Sequence, residues 1–332
     1  MPAERTFVTE IATGLGMVGD NDLASVIARR PAELSNLTAA NWDQLTVLWH
    51  SGMYKADFTV GFLNGRAFLD APDALNGRRP RIIEWTGGRR PPGDEVVPSD
   101  LRIDHVYLVS CKYLSRILHN PSPARLVEGL LTQAPVDNLR DWYERVAPLE
   151  YQQLYESCAA AVHGTTMPLQ ASDLVNAQRR RLVVALRTGW PDGAADAYAR
   201  LCHAVSEATA QQWRTRVTAR EAEPLLWRLL RVGSAPYFIL GTSRHGSMRL
   251  RIETPWDWRQ AFRLRRFDIA PQPGGQPRVG WSAVYQVRDT SEERAVHGHV
   301  EIRWSHGRFG QPPEAKVYLD SAHEDVPGYH PL

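Results

Sequence analysis

Cysteine, lysine and long apolar runs are all scarce in this 332-residue chain, and each scarcity excludes something. The three cysteines, Cys111, Cys158 and Cys202, are odd in number and show no CxxC spacing. That argues against a disulfide scaffold and fits reduced thiols in a cytoplasmic protein. No stretch approaches the ~20 consecutive apolar residues of a membrane span. Met1–Thr9 carries Glu4 and has no apolar core segment, so neither a secretory signal nor a membrane partner is expected. The formal net charge is only +2, so any basic surface must be local. With 43% hydrophobic and 23% charged residues, the chain has the composition of a folded protein with a substantial core.

Lysine is the sharper absence. Only Lys55, Lys112 and Lys316 occur, and the rest of the 39 basic residues are arginine. A GC-rich coding bias replaces surface lysine by arginine, because either serves as a solvated charge. A lysine that survives such drift is one whose compact ammonium a planar guanidinium cannot replace. Lys112 and Lys316 are therefore the first places to look.

Hydrophobic spacing divides the chain into three regions. Phe7 to Arg30, Leu37 to His50 (with Asn36 as N-cap) and Met53 to Leu75 read as helices, the last interrupted at Asn64-Gly65. Arg81 to Trp85, Asp100 to Ile103 and Val106 to Lys112 read as strands, the last two close enough to form a hairpin. Helix is expected again from Leu114. Leu130 to Leu230 is mostly helical in pattern, and after Pro236 short strand-like runs dominate: 237–240, 249–252, 281–287, 299–304 and 315–319. The expected fold class is α/β (α+β), with a mixed-sheet core over 1–135, a helical region over 136–235 and a β-rich region over 236–332.

The stretch with chemistry in it runs from Pro98 to Lys112. Side chains alternate along a strand, so Ser110 and Lys112 share one side and Cys111 takes the other. If the turn comprises Asp104-His105-Val106, Ile103 pairs with Tyr107 and Asp100 lies opposite Ser110. A two-residue turn would put Asp100 opposite Val109 and destroy the convergence. An acid, a second oxygen and a lysine at this proximity suit phosphodiester hydrolysis with Mg²⁺, which takes one or two carboxylates plus substrate oxygens. Lysine can orient or deprotonate the attacking water, a task for which arginine is poorly suited.

Pro98-Ser99-Asp100 followed by Ser110-Cys111-Lys112 resembles the signature of the PD-(D/E)XK nuclease superfamily, the fold of many type II restriction endonucleases. In that signature an acid begins one strand, acid-x-Lys lies on the next, and a helix follows. Asn64-Gly65-Arg66-Ala67-Phe68-Leu69-Asp70 is similar to a helical Asn-Gly-x-x-Phe-acid element of some restriction enzymes, whose acid contributes to the metal site. The resemblance spans roughly residues 55–120. It implies a restriction-endonuclease-like core, Mg²⁺-dependent cleavage of DNA, a role in defence and a homodimer. Asp100 is then the leading metal ligand, Lys112 positions or activates water, Ser110 supports, and Glu84 or Asp70 supplies the second carboxylate. Ser110 departs from the pattern, since an acid is usual there. That departure makes a non-cleaving DNA-binding protein on the same fold the alternative.

A competing arrangement lies near the C-terminus, where Glu301 precedes Pro313-Glu314-Ala315-Lys316 with the proper glutamate but no following helix. Seven arginines between 244 and 266 face only Glu253 and Asp257, with Trp256 and Trp258 among them. Of these, Arg244, Arg249, Arg251, Arg263, Arg265 and Arg266 are candidate DNA contacts, together with Arg89 and Arg90 beside the hairpin. The ordinary alternative is a solvated sheet face above two core tryptophans. Cys111 reads as packing rather than as a nucleophile.

Overall fold

The computed structural model describes residues 4–87, 99–113, 117–131, 141–162, 166–233, 235–243 and 246–332. In chain order the elements begin with helices α1 (Glu4–Gly16) and α2 (Leu23–Arg29), strand β1 (Leu34–Ser35), and helices α3 (Ala39–Ser51) and α4 (Lys55–Asp70). Strands β2 (Ile83–Trp85), β3 (Leu101–Ile103), β4 (Tyr107–Tyr113) and β5 (Ile117–His119) follow. The helical stretch comprises α5 (Pro123–Leu131), α6 (Trp142–Val146), α7 (Pro148–Ala159), α8 (Asn176–Ala185), α9 (Ala194–Arg216) and α10 (Ala219–Leu230). Then come β6 (Tyr237–Ser243), β7 (Gly246–Ile252), α11 (Pro255–Ala261), β8 (Phe262–Pro271), β9 (Arg278–Val287), β10 (Glu293–Arg303), β11 (Glu314–Leu319) and β12 (Tyr329–Pro331).

These elements form two units, and neither is continuous in sequence. The first comprises Met1–Arg116, Arg231–Ala261 and His323–Leu332, and the second Ile117–Leu230 and Phe262–Ala322. The β-rich stretch after residue 236 therefore supplies strands to both units instead of forming a region of its own. The first unit holds a mixed seven-stranded sheet in the order β1-β2-β3-β4-β6-β7-β12, and the second an antiparallel five-stranded sheet in the order β5-β11-β10-β9-β8. No helix among the described residues is long and apolar enough to cross a membrane.

In the first unit the apolar positions of α1 (Val8, Ile11, Leu15) and α4 (Phe58, Phe62, Phe68) bury against Ile83, Trp85, Leu101, Ile103, Val109 and Phe238 of the sheet. Each such side chain contributes roughly 1.5–3 kcal/mol of transfer free energy. α4 is one unbroken helix across Asn64-Gly65, against the expected interruption. The cause is packing: a Cβ on Gly65 would lie 2.0 Å from the Thr13 carbonyl oxygen, and one on Gly16 would lie 2.1 Å from that of Phe62. Glycine here lets two helix backbones touch, a gain that outweighs its weak helix propensity.

Other local expectations also change. The run from Phe7 to Arg30 is two helices, because it breaks between Gly16 and Leu23, where Gly19 has φ +93° and Asp22 caps the second helix. Thr38, not Asn36, caps α3, in a reciprocal arrangement with Asn41. Where helix was expected from Leu114, the chain forms β5 at 117–119, paired with β11, before α5 begins.

Candidate active site

The β3–β4 hairpin has the three-residue turn that the convergence requires. Ile103 pairs with Tyr107, Arg102 with Leu108 and Leu101 with Val109. Asp104 and His105 both adopt positive φ, +50° and +60°, a conformation that Asp and His tolerate better than most residues. The Asp104 carboxylate then fastens the turn: it accepts the backbone N–H groups of Arg81 at 2.7 Å and Ile82 at 3.1 Å, and Arg78 at 2.6 Å. Burial opposes ionisation of Asp104, but the Arg78 hydrogen bond and the two backbone N–H groups hold its pKa below the ordinary value. Asp104 is a structural acid.

At the open end of the hairpin the Asp100 N–H donates to the Val109 carbonyl at 2.8 Å. Its Oδ2 accepts the Ser110 hydroxyl at 3.1 Å and the Cys111 backbone N–H at 2.6 Å. Both bonds fall on one oxygen, so Oδ1 takes no hydrogen bond among the described residues. Lys112 lies two residues beyond Ser110 on the same side of β4. The structure therefore joins Asp100 to Ser110 and sets Lys112 further along the same side of β4, where its charge acts on Glu10.

Neither Glu84 nor Asp70, the expected second carboxylates, contacts Asp100 among the described residues. Glu84 sits across from Arg102, two residues nearer the turn than Asp100. Its Oε2 is occupied by Arg102 at 3.1 Å and His105 at 2.9 Å. Asp70 is exposed at the last residue of α4. The acid that interacts with Asp100 is Glu10 of α1, which is only 6% exposed and accepts the Trp85 indole N–H at 2.7 Å. Burial first, and then the charge of Asp100, push the Glu10 pKa up to about 8, while the Trp85 bond and Lys112 act in the opposite sense.

The Asn-Gly element of α4 has a different role. Asn64 is buried, donates to the Gly241 carbonyl at 3.2 Å and accepts from Arg249 at 2.9 Å, so it ties α4 to β6 and β7. The Cys111 thiol packs against the core beside Thr13, and burial, then Asp100 and Glu10, raise its pKa well above the ordinary value, which makes it inert.

This donor set fits a hard, hydrated cation. Mg²⁺ usually keeps several waters and needs only one or two carboxylates from the protein, here Glu10 and Asp100. The charge of Asp100 that raises the cost of ionising Glu10 would be offset by a divalent charge between them. Among the described residues no group of three or more His, Cys, Asp or Glu side chains gathers as a metal site.

The candidate DNA contacts are dispersed. Arg89, Arg90 and Arg244 lie outside the described residues. Arg249 is held by Asn64, and Arg251 lies 3.6 Å from Asp73, both on β7. Arg263, Arg265 and Arg266 are exposed on β8 in the other unit, with Arg265 and Arg266 beside Glu293 and Asp268. Trp258 is fully buried, whereas Trp256 is 73% exposed.

In the second unit Glu301 lies directly across from Lys316 on neighbouring strands. Yet Glu301 is bound by Arg278 at 2.7 Å and Arg303 at 3.3 Å, and the Lys316 ammonium binds Glu314 at 3.1 Å. The competing acid–lysine arrangement is neutralised within the sheet. No family model, curated protein or solved structure matches the chain.

Proposed function

We propose that the first unit is the catalytic core of a Mg²⁺-dependent DNA endonuclease of the PD-(D/E)XK, type II restriction-like class, acting in defence. The observation that carries this reading is the Asp100–Ser110 bond at the open end of one hairpin, with Lys112 on the same side of β4 and the charge of Asp100 acting on the buried Glu10. Glu10 and Asp100 would hold the cation, whose chemistry there would be a water of lowered pKa and compensation of charge on the scissile phosphate.

The chain's own residues have separable tasks. The hydrogen bonds from Ser110 and Cys111 fix Asp100 with its second oxygen presented, and Glu10 releases its proton to complete the donor pair. Lys112 orients the attacking water and balances the negative charge that grows on the phosphoryl oxygens. Ser110, which replaces the usual acid, serves by positioning Asp100 and not as a charged ligand. A homodimer would cut both strands of a near-palindrome.

Incubation of mixed-sequence plasmid with the full chain and Mg²⁺ tests the proposal. Nicked or linear product that disappears on chelation is expected. A salt-sensitive gel shift with no strand scission at any divalent concentration would instead establish the non-cleaving alternative.

A further inference from the structure

The second unit contains a cavity of about 420 Å³ that the nuclease reading does not use. Trp190, Tyr198 and Trp304 line it, together with Arg303, Arg308 and Lys316, and no carboxylate is among its lining residues. The aromatic rings form a connected wall: the rings of Trp190 and Tyr198 are 4.6 Å apart at 31°, and those of Tyr198 and Trp304 are 6.5 Å apart at 22°. The Arg308 guanidinium lies 3.9 Å above Trp190. It is oriented by the backbone carbonyls of Leu186 and Gly189, which leave its positive charge in place. The Trp304 indole N–H is buried with no acceptor among the described residues.

Lys316 is the second point. A lysine only 9% exposed, in a chain that has replaced nearly all its lysines by arginine, occupies a position where a compact ammonium matters. Its one carboxylate partner, Glu314, also accepts from Ser305 and Asn120, so that acid is already well satisfied. Arg303 also pairs with Glu301 at 3.3 Å and Lys316 with Glu314, so Arg308, held only by carbonyls among the described residues, is the cation at this concave, aromatic-walled space that an anion would complete, with the other two beside it. Stacking surfaces and cations together select a ligand that carries both a planar ring and a concentrated negative charge. The volume lies at the low end of the small-molecule range, which admits one ring and one phosphate rather than a polymer.

We infer that this cavity is a binding site for a nucleoside monophosphate, with its phosphate on Arg303, Arg308 and Lys316 and its base against the Trp190–Tyr198–Trp304 wall. The site is independent of the Asp100 centre and needs no divalent ion.

Calorimetric titration of the full chain in chelator, with the four ribonucleoside and four deoxyribonucleoside monophosphates, tests this directly. Inorganic phosphate and the unphosphorylated nucleosides are the separate arms. At least one monophosphate should bind saturably and at least tenfold tighter than either half alone. Lys316→Met and Trp190→Ala should each weaken that binding at least tenfold, with thermal melting confirming that the variants fold. Absence of saturable binding by wild-type protein up to millimolar nucleotide would overturn the inference, and that result requires no variant. Equal affinity for inorganic phosphate, or folded variants that bind as wild type does, would overturn it too.

Discussion

The indole N–H of Trp85 donates to the carboxyl group of Glu10 at 2.7 Å, joining the sheet to the first helix at the one charged position of a buried stretch. The folded state keeps a proton on Glu10 to about pH 8, whereas the unfolded chain releases it near 4.5. Between those values the native state binds more protons than the unfolded state. The contribution of Glu10 to stability therefore falls as pH rises through this window. Glu10→Gln, which keeps the shape and removes the titration, should flatten that slope and melt higher than wild type at pH 8. Thermal melts at pH 5, 6, 7 and 8 measure it, and parallel curves for the two proteins would refute the assignment.

Cleavage should depend on the open end of the hairpin and not on its turn. Lys112→Ala and Asp100→Asn are expected to lower the single-turnover rate by about 10²–10⁴-fold while leaving DNA affinity within a few-fold. Glu84→Ala removes only a partly exposed pair with Arg102 and His105, worth about 0–1 kcal/mol, and should cut at nearly the wild-type rate. A plasmid assay across the three variants decides, and a dead Glu84→Ala with an active Lys112→Ala would relocate the site.

Gly16→Ala and Gly65→Ala should each destabilise the protein by about 1–3 kcal/mol or more, because the added carbon meets a backbone oxygen that cannot swing away. Gly274→Ala, where nothing lies within 4 Å, is the control and should stay within about 0.5 kcal/mol of wild type. Urea midpoints read both, and equal midpoints for all three would mean the helix seam has slack.

The second unit should be acid-sensitive through Glu301. His299 beside it, then Arg278 and Arg303, hold its pKa at about 2 in spite of burial, against an ordinary 4.5. This stabilisation is full above pH 4.5 and is lost as pH falls toward 2. Glu301→Gln should lower the melting temperature at pH 7, and the deficit should shrink steadily below pH 4.5. A pH-independent deficit would point to packing alone.

The hairpin register was legible because strand alternation and turn length leave few ways to pair Asp100 through Lys112, and the structure adopts the one that joins Asp100 to Ser110. Glu10 was missed, although its signal was present. In Phe7-Val8-Thr9-Glu10-Ile11-Ala12 a lone carboxylate sits in a helix that is buried on every side, and such a charge is expensive without a purpose. Asn64-Gly65 was misread because glycine's local propensity said break, while its absent side chain served a helix crossing 49 residues away in sequence (Gly16 to Gly65). β8 went unrecognised because its arginines at 263, 265 and 266 read as charge rather than as strand. Pairings such as that of β4 with β6 lay beyond local pattern altogether, with well over a hundred residues between the partners.

That last pairing governs how the protein can be made. The strand beside Lys112, β6, leaves the ribosome only after the whole intervening helical stretch. A nascent chain therefore carries Asp100 and Lys112 long before it owns the strand that pairs with β4. For a polypeptide proposed to sever DNA, assembly order itself acts as a safety catch.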